Sequence, residues 1–439
     1  MPPIPLQNSS FDLDVSGIAG FFGGEESFSA ISNVHLIRGR RWLGWYNSPG
    51  SYFVAKKYGV LARGRFWDGL FPGVNVEPAE MLGLNGKRGP RFLGVHSGTK
   101  LDKTGHLASL FVNYCSGLKE DQVVGSAAAQ SNSFLTIVHL GDFPREIEDN
   151  NGEIASSRLA PFDPIAVIPI LYSVGAAVVS AVFGDWFCFS MIVLGIFCNG
   201  IASLVLGSGI LRMKGPTPSK HSPPADGIFF TNGTGTRVVV VKGNAKIVGM
   251  LTAGSFALEY GSQPQYGDIG FSAFILIAQF LLQLFIVPQG ELFGQIMFLS
   301  SLGVSWLHNA YLASIDREEL QMKIVMDVLL KNSHTWTVRF EKYTSLAVFA
   351  ATTLQARDTQ RVMDAFIPND TRVWRNVKAQ VAEGIERNLD HREMARLRDA
   401  DGLDESEQGL AKDMLSFASE AYQAAKELRA VQETRSKDS

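Results

Sequence analysis

Two apolar runs, Pro164 to Gly184 and Trp186 to Leu211, stand on either side of Asp185 and contain no Asp, Glu, Lys, Arg or His. Each reaches the roughly 20 residues that a helix needs to cross a hydrocarbon layer about 30 Å thick. No other feature constrains the fold as much, because a water-soluble hairpin would have to bury both runs on every side. The reading is a transmembrane hairpin over residues 162–211. It is entered through Asp163 and Pro164, an N-cap followed by a first-turn proline whose missing N–H would have been orphaned anyway. Small or polar residues recur at four-residue steps along it, Ser173, Ala177 and Ala181 on one helix and Asn199, Ser203 and Gly207 on the other. That spacing lets helix backbones approach closely in lipid, so the two stripes are expected to face each other.

A second hairpin is expected over residues 269–313, turning at Pro288-Gln289-Gly290-Glu291. Its polar residues are uncharged apart from His308 near the exit. Asn199, Gln279, Gln283 and His308 are the intramembrane polar candidates, and a hydrogen bond between Asn199 and Gln279 is expected to join the two hairpins. The expected fold class is an α-helical integral membrane protein, four transmembrane helices arranged as two hairpins, with cytosolic α+β portions. The hairpin tips carry no Lys or Arg, whereas Arg145, Arg158, Arg212, Lys214, Arg317 and Lys323 flank the other helix ends. Retention of Lys and Arg on the cytoplasmic side then puts both termini in the cytosol, of a plasma membrane or an endomembrane.

Overall composition conceals this pattern, since 46% hydrophobic residues, 19% charged residues and a net charge of -3 suit an ordinary soluble protein. Cys115, Cys188 and Cys198 are odd in number and give no disulfide framework, which fits domains facing the cytosol.

Residues 1–161 read as an N-terminal cytosolic, mostly β domain rich in Gly and aromatics, with strand-like pieces at 52–55, 59–62, 91–96 and 134–140. Between Ile31 and Lys103 there are twelve basic and four acidic residues, interleaved with aromatics. Beside a bilayer the nearest anion is a lipid headgroup, so Arg38, Arg40, Arg41, Trp42, Trp45, Lys56, Lys57, Arg63, Arg65 and Trp67 are the lipid-contact candidates, and nucleic acid is not expected. Residues 212–268 read as a Pro- and Ser-rich linker with a small β-meander, and 314–368 as cytosolic juxtamembrane helices. Within the latter, the uncharged stretch from Tyr343 to Ala356 is too short to cross and belongs in a soluble core or along the interface. Residues 369–439 read as a charged C-terminal helical region. There Leu410, Met414, Phe417, Ala421, Ala424, Leu428 and Val431 form a four-three stripe, for packing on the chain's own domain or on a protein partner.

Several stretches resemble a family of uncharacterised multi-pass membrane proteins from mushroom-forming fungi. They are Trp42 through Ser51 (WLGWYNSPGS), Gly184-Asp185-Trp186-Phe187, Pro288 through Leu302, and Pro368-Asn369-Asp370-Thr371 with Val373-Trp374. The resemblance covers most of the chain and implies the same membrane organisation, and it brings no activity and no site residue with it.

Catalytic and metal signatures are missing from the sequence. There is no Walker loop, no HExxH, no Gly-x-Ser-x-Gly elbow and no Cys partner for a His at metal spacing. Neither catalytic residues nor metal ligands nor a cofactor are expected. The sequence favours a non-enzymatic membrane protein whose cytosolic domains bind partners or anionic lipid. Its alternatives are an oligomeric transporter or channel subunit and a membrane-bound enzyme of unrecognised type.

Overall fold

The computed structural model describes residues 22–124, 133–219, 221–231, 236–331, 333–396 and 403–437, with side chains as far as 430. It is mostly helical with a mixed sheet. The chain forms two compact units, Met1–Gly86 with Asp149–Met213 and Phe256–Ile324, and Lys87–Glu148 with Lys214–Ser255 and Val325–Ser439.

Four long helices frame the first unit: Val167–Val182, Trp186–Leu206, Gly267–Ile286 and Leu292–Ser314. Three segments are long and apolar enough to cross a membrane, Pro164–Val182, Trp186–Leu206 and Gly267–Gln289. The Leu292–Ser314 helix is not among them, because it carries Gln295, Ser300, Ser301, Ser305, His308 and Asn309. Asp163 caps the first span as expected, its carboxylate accepting from the Ile165 N–H at 3.1 Å. At the opposite end buried Asp185 ties the two tips together, accepting from the N–H of Cys188 at 3.0 Å and of Glu291 at 2.9 Å.

The 167–182 helix packs on 186–206 and 292–314, and the 186–206 helix also packs on 267–286. Two short helices, Gly24–Ser32 and Ser51–Gly59, pack on each other, the first also on 292–314 and the second also on 267–286. They complete the ring between those two long helices.

This arrangement corrects the expectation for residues 1–161. The regular elements of residues 24–86 are helices and belong to the unit of long helices, while 87–148 belong to the other unit. The expected strand at 52–55 is part of the Ser51–Gly59 helix, because its Tyr52 and Phe53 pack against helices rather than across a sheet. A two-stranded sheet, Ile210–Lys214 with Ser255–Glu259, lies beside the end of the bundle where Arg212 pairs with Glu259 at 2.9 Å.

In the second unit a seven-stranded sheet is built from β1 (Arg91–Gly94), β2 (Lys100–Leu101), β3 (Gln122–Val124), β4 (Ser133–His139), β5 (Gly227–Phe230), β6 (Arg237–Lys242) and β7 (His334–Phe340). Their order is β2-β1-β5-β6-β4-β7-β3, with β4–β6 and β3–β7 parallel and the other pairs antiparallel. The four valines of β6 are buried, as befits a central strand covered on both faces. Residues 212–268 are therefore not a meander of their own: β5 pairs with β1 and β6 with β4, both strands from earlier in the sequence, and Ala245–Ala253 is a helix capped by Asn244. Likewise 314–368 contains the strand β7 as well as helices, its Val338 and Phe340 entering the sheet core.

Tyr343–Leu354 lies in that core. From Ser345 to Leu354 every residue is buried, between the sheet and the Glu405–Lys437 helix. A short charge-free helix is what an element covered on all sides requires. The long C-terminal helix covers it with Ala411, Met414, Leu415, Ala418, Ala421, Tyr422, Ala425 and Leu428. Of the expected stripe, Met414, Ala421 and Leu428 enter this core and Phe417 and Ala424 are half-buried, whereas Leu410 is 48% exposed and Val431 lies outside the described side chains. Among the described side chains, the apolar face of this helix packs within its own unit.

Candidate functional site: a polar loop caged by helices

The stretch from Gly44 to Gly50 (GWYNSPG) has no regular structure, and it lies inside the ring of helices. Proline and two glycines keep it from coiling, so its carbonyls and N–H groups need partners other than their own turn. The long helices supply them. Asn199 Nδ2 donates to the carbonyls of Gly44 at 2.7 Å and Tyr46 at 3.3 Å. Asn47 N–H donates to Ser173 Oγ at 3.1 Å, and Asn47 Nδ2 donates to Ser301 Oγ at 2.8 Å. Ser173 and Ser301 sit near the middle of their helices, so the loop tip reaches halfway along the bundle. Gly195, midway along the 186–206 helix, makes room there, since a Cβ would stand 2.0 Å from Asn47 Oδ1.

A second set of bonds leads from the tip towards one end of the bundle. The Tyr46 hydroxyl donates to Asn309 Oδ1 at 2.7 Å, and Asn309 Nδ2 donates to Ser27 Oγ at 2.9 Å and Ser48 Oγ at 3.1 Å. Arg40 is 3% exposed and donates to the Tyr46 hydroxyl at 3.0 Å and the Leu43 carbonyl at 2.9 Å. Beside it, His308 Nε2 lies 3.7 Å from Asp163 Oδ2, and the His308 ring stands edge-on to Tyr46 at 5.6 Å.

Of the intramembrane polar candidates, Asn199, Gln279, Gln283 and His308 are all buried in this unit. The expected bond between Asn199 and Gln279 is absent. Asn199 serves the loop, while Gln279 donates to Gln283 Oε1 and Gln283 to the Met191 carbonyl, both at 3.4 Å. The small-residue stripes likewise serve the loop, Ser173 through its hydroxyl and Ser203 through its contact with Gly44.

The lipid-contact candidates divide. Arg38, Arg41, Trp42, Lys56, Lys57 and Arg65 are exposed; Trp45, Arg63 and Trp67 are half-buried. Arg40 is withdrawn into the bundle, where the Tyr46 hydroxyl and the Leu43 carbonyl accept from its guanidinium. Trp45 packs edge-on against Phe197, and Trp67 lies against Phe71 and the backbone of Gly270. At the same rim His35 is buried under Tyr260, and desolvation pushes its pKa down to about 4, so it is neutral at pH 7.

The second unit holds a cleft of about 680 Å³ that the sequence did not signal. Gln355 and Asn388, both in the left-handed conformation at helix ends, form part of its wall, and Asn388 Oδ1 accepts from the Tyr422 hydroxyl at 3.1 Å and Lys426 Nζ at 2.9 Å. The volume is within the range of small-molecule sites. Among the described residues no group of three or more His, Cys, Asp or Glu is placed to hold a metal ion.

No protein-family model, no curated protein and no solved structure matches this chain.

Proposed function

We propose that the first unit crosses the bilayer four times, with Leu292–Ser314 as the fourth span, and that the chain is a non-enzymatic membrane protein presenting its second unit to partners. The observation that carries this reading is the cage around Gly44–Gly50. Irregular backbone at membrane depth is tolerated only where protein or water satisfies it, and here all four long helices contribute residues to the polar centre. The middle of Leu292–Ser314 is polar because it faces this loop, not because it avoids lipid: Ser301 and Asn309 are its bonding residues, and Leu307 between them is 61% exposed. The resemblance to the fungal multi-pass family is part of the same reading.

Exposed Arg38, Arg41, Lys56, Lys57 and Arg65 lie in the segment that covers one end of the bundle, with Trp42 57% and Phe66 67% exposed among them. The tips at the other end have no Lys or Arg. Such a rim suits the anionic cytosolic leaflet, each basic residue near the surface adding about 1 kcal/mol. The full chain released from nanodiscs of mixed phosphatidylcholine and phosphatidylserine is expected to carry phosphatidylserine in excess, by native mass spectrometry. Changing Arg41, Lys56, Lys57 and Arg65 together to Gln should abolish that excess, and an unchanged ratio would remove the lipid-contact assignment.

A channel or transporter subunit is the second reading, favoured by the same loop, because interrupted helices at mid-depth are where such proteins bind solutes. Solute flux into proteoliposomes separates the two: the first reading expects none above empty vesicles.

A further inference from the structure

Where the Ser51–Gly59 helix begins, the bundle leaves a space of about 10 Å³ between Ser48, Ser51, Val54, Asn199, Leu276 and Gln279. Ser51 is 4% exposed and Gln279 1% exposed, and neither Ser51 Oγ nor Gln279 Oε1 has a hydrogen-bond partner among the described residues. Leaving two such atoms bare in a low-dielectric core is unfavourable, because each has given up its hydrogen bonds to water without a replacement. A water needs roughly 10–15 Å³ of such space and two or more polar partners.

We propose that this space is a binding site for a single, slowly exchanging water molecule. Gln279 Oε1 can only accept, so the occupant must donate, and the Ser51 hydroxyl both accepts and donates. The helix starts at Gly50, in the left-handed conformation with no side-chain cap, and its positive end therefore opens here. That end disfavours a cation, and the amide oxygen of Gln279 disfavours an anion. A neutral donor-acceptor the size of water satisfies both, and it links the loop to the 267–286 helix, which otherwise contributes only Gln283 to the polar centre.

The test is radiolytic hydroxyl labelling of the full chain in nanodiscs, read by mass spectrometry, with brief mixing into ¹⁸O-water before exposure. Val54, Leu276 and Pro49, shielded from bulk water, are expected to gain oxygen, and that oxygen should be ¹⁶O, because the bound water exchanges more slowly than the mixing time. Exposed side chains should gain ¹⁸O. In Ser51→Ala and Gln279→Leu, labelling at Leu276 should fall to background. No oxygen on these three residues in the unaltered chain, ¹⁸O on them, or labelling unchanged in both variants would each overturn the proposal.

Discussion

Gly195→Ala is expected to lower the stability of the chain by about 2 kcal/mol or more, although alanine is the better helix former by about 0.5–1 kcal/mol. The added methyl would stand 2.0 Å from Asn47 Oδ1, so the loop tip must leave its seat between Ser173 and Ser301. Gly175 gives the internal control, since on the neighbouring helix its Cβ position meets nothing within 4 Å. Gly175→Ala should be neutral or slightly stabilising. Thermal unfolding of both variants in the same detergent, followed by tryptophan fluorescence, checks the opposite signs. Equal effects would mean that Asn47 does not approach Gly195.

Asn199→Leu is the second large expected effect. Leucine has the same number of side-chain heavy atoms and the same branching as asparagine, so it leaves no cavity and removes the hydrogen bonds. The carbonyls of Gly44 and Tyr46 both lose their donor in the middle of the bundle. At about 1–3 kcal/mol for each buried group left unsatisfied, the expected loss is about 2–6 kcal/mol. Asn199→Asp keeps the shape but removes the amide donor, and should be no better than leucine. If Asn199→Leu unfolds at the same temperature as the unaltered chain, the amide does not hold the loop.

The span hairpin, the Asp163 cap, the helix from Glu405 and the strands β4, β5 and β6 were legible in the sequence, because each rests on a local signal: charge-free length, a cap followed by proline, or a β-branched run. The loop was not. Asn47 to Gly50 reads locally as a turn between strands, since Asn-Ser-Pro-Gly has the chemistry of a turn wherever it lies. What gives it away is the demand on the other side. Ser173, Asn199, Ser301 and Asn309 each place a polar group inside a long helix, and two hairpins alone pair them poorly. That accounting pointed to Gln279 as a partner for Asn199, because a contact with a segment some 150 residues earlier leaves no periodic trace. The burial of Arg40 was hidden for the same reason. Its neighbours Arg38 and Arg41 are exposed, and only the geometry of the Tyr46 hydroxyl separates the three.

The second unit shows a related limit. Its sheet alternates strands from three separate stretches of chain, so β1 pairs with β5 and β4 with β6 and β7 although long helices lie between them in sequence. Strand propensity identified several members but could not say that 87–148 and 24–86 part company. The alignment of Tyr343–Leu354 under the C-terminal helix resolves a charge-free stretch that is too short to cross and too apolar for a surface.

Whether Gly44–Gly50 is held inside the bundle is tested most directly by a disulfide between the loop and a long helix. Asn47 Nδ2 and Ser301 Oγ are 2.8 Å apart, so Asn47→Cys with Ser301→Cys, in a chain whose Cys115, Cys188 and Cys198 are changed to Ala, should cross-link on mild oxidation in native membranes. Protease cleavage between the two positions should then leave fragments joined until reductant is added. Asn47→Cys alone should resist a membrane-impermeant maleimide. Fragments that separate without reductant, together with rapid maleimide labelling of Asn47→Cys in intact membranes, would contradict a loop seated among the helices.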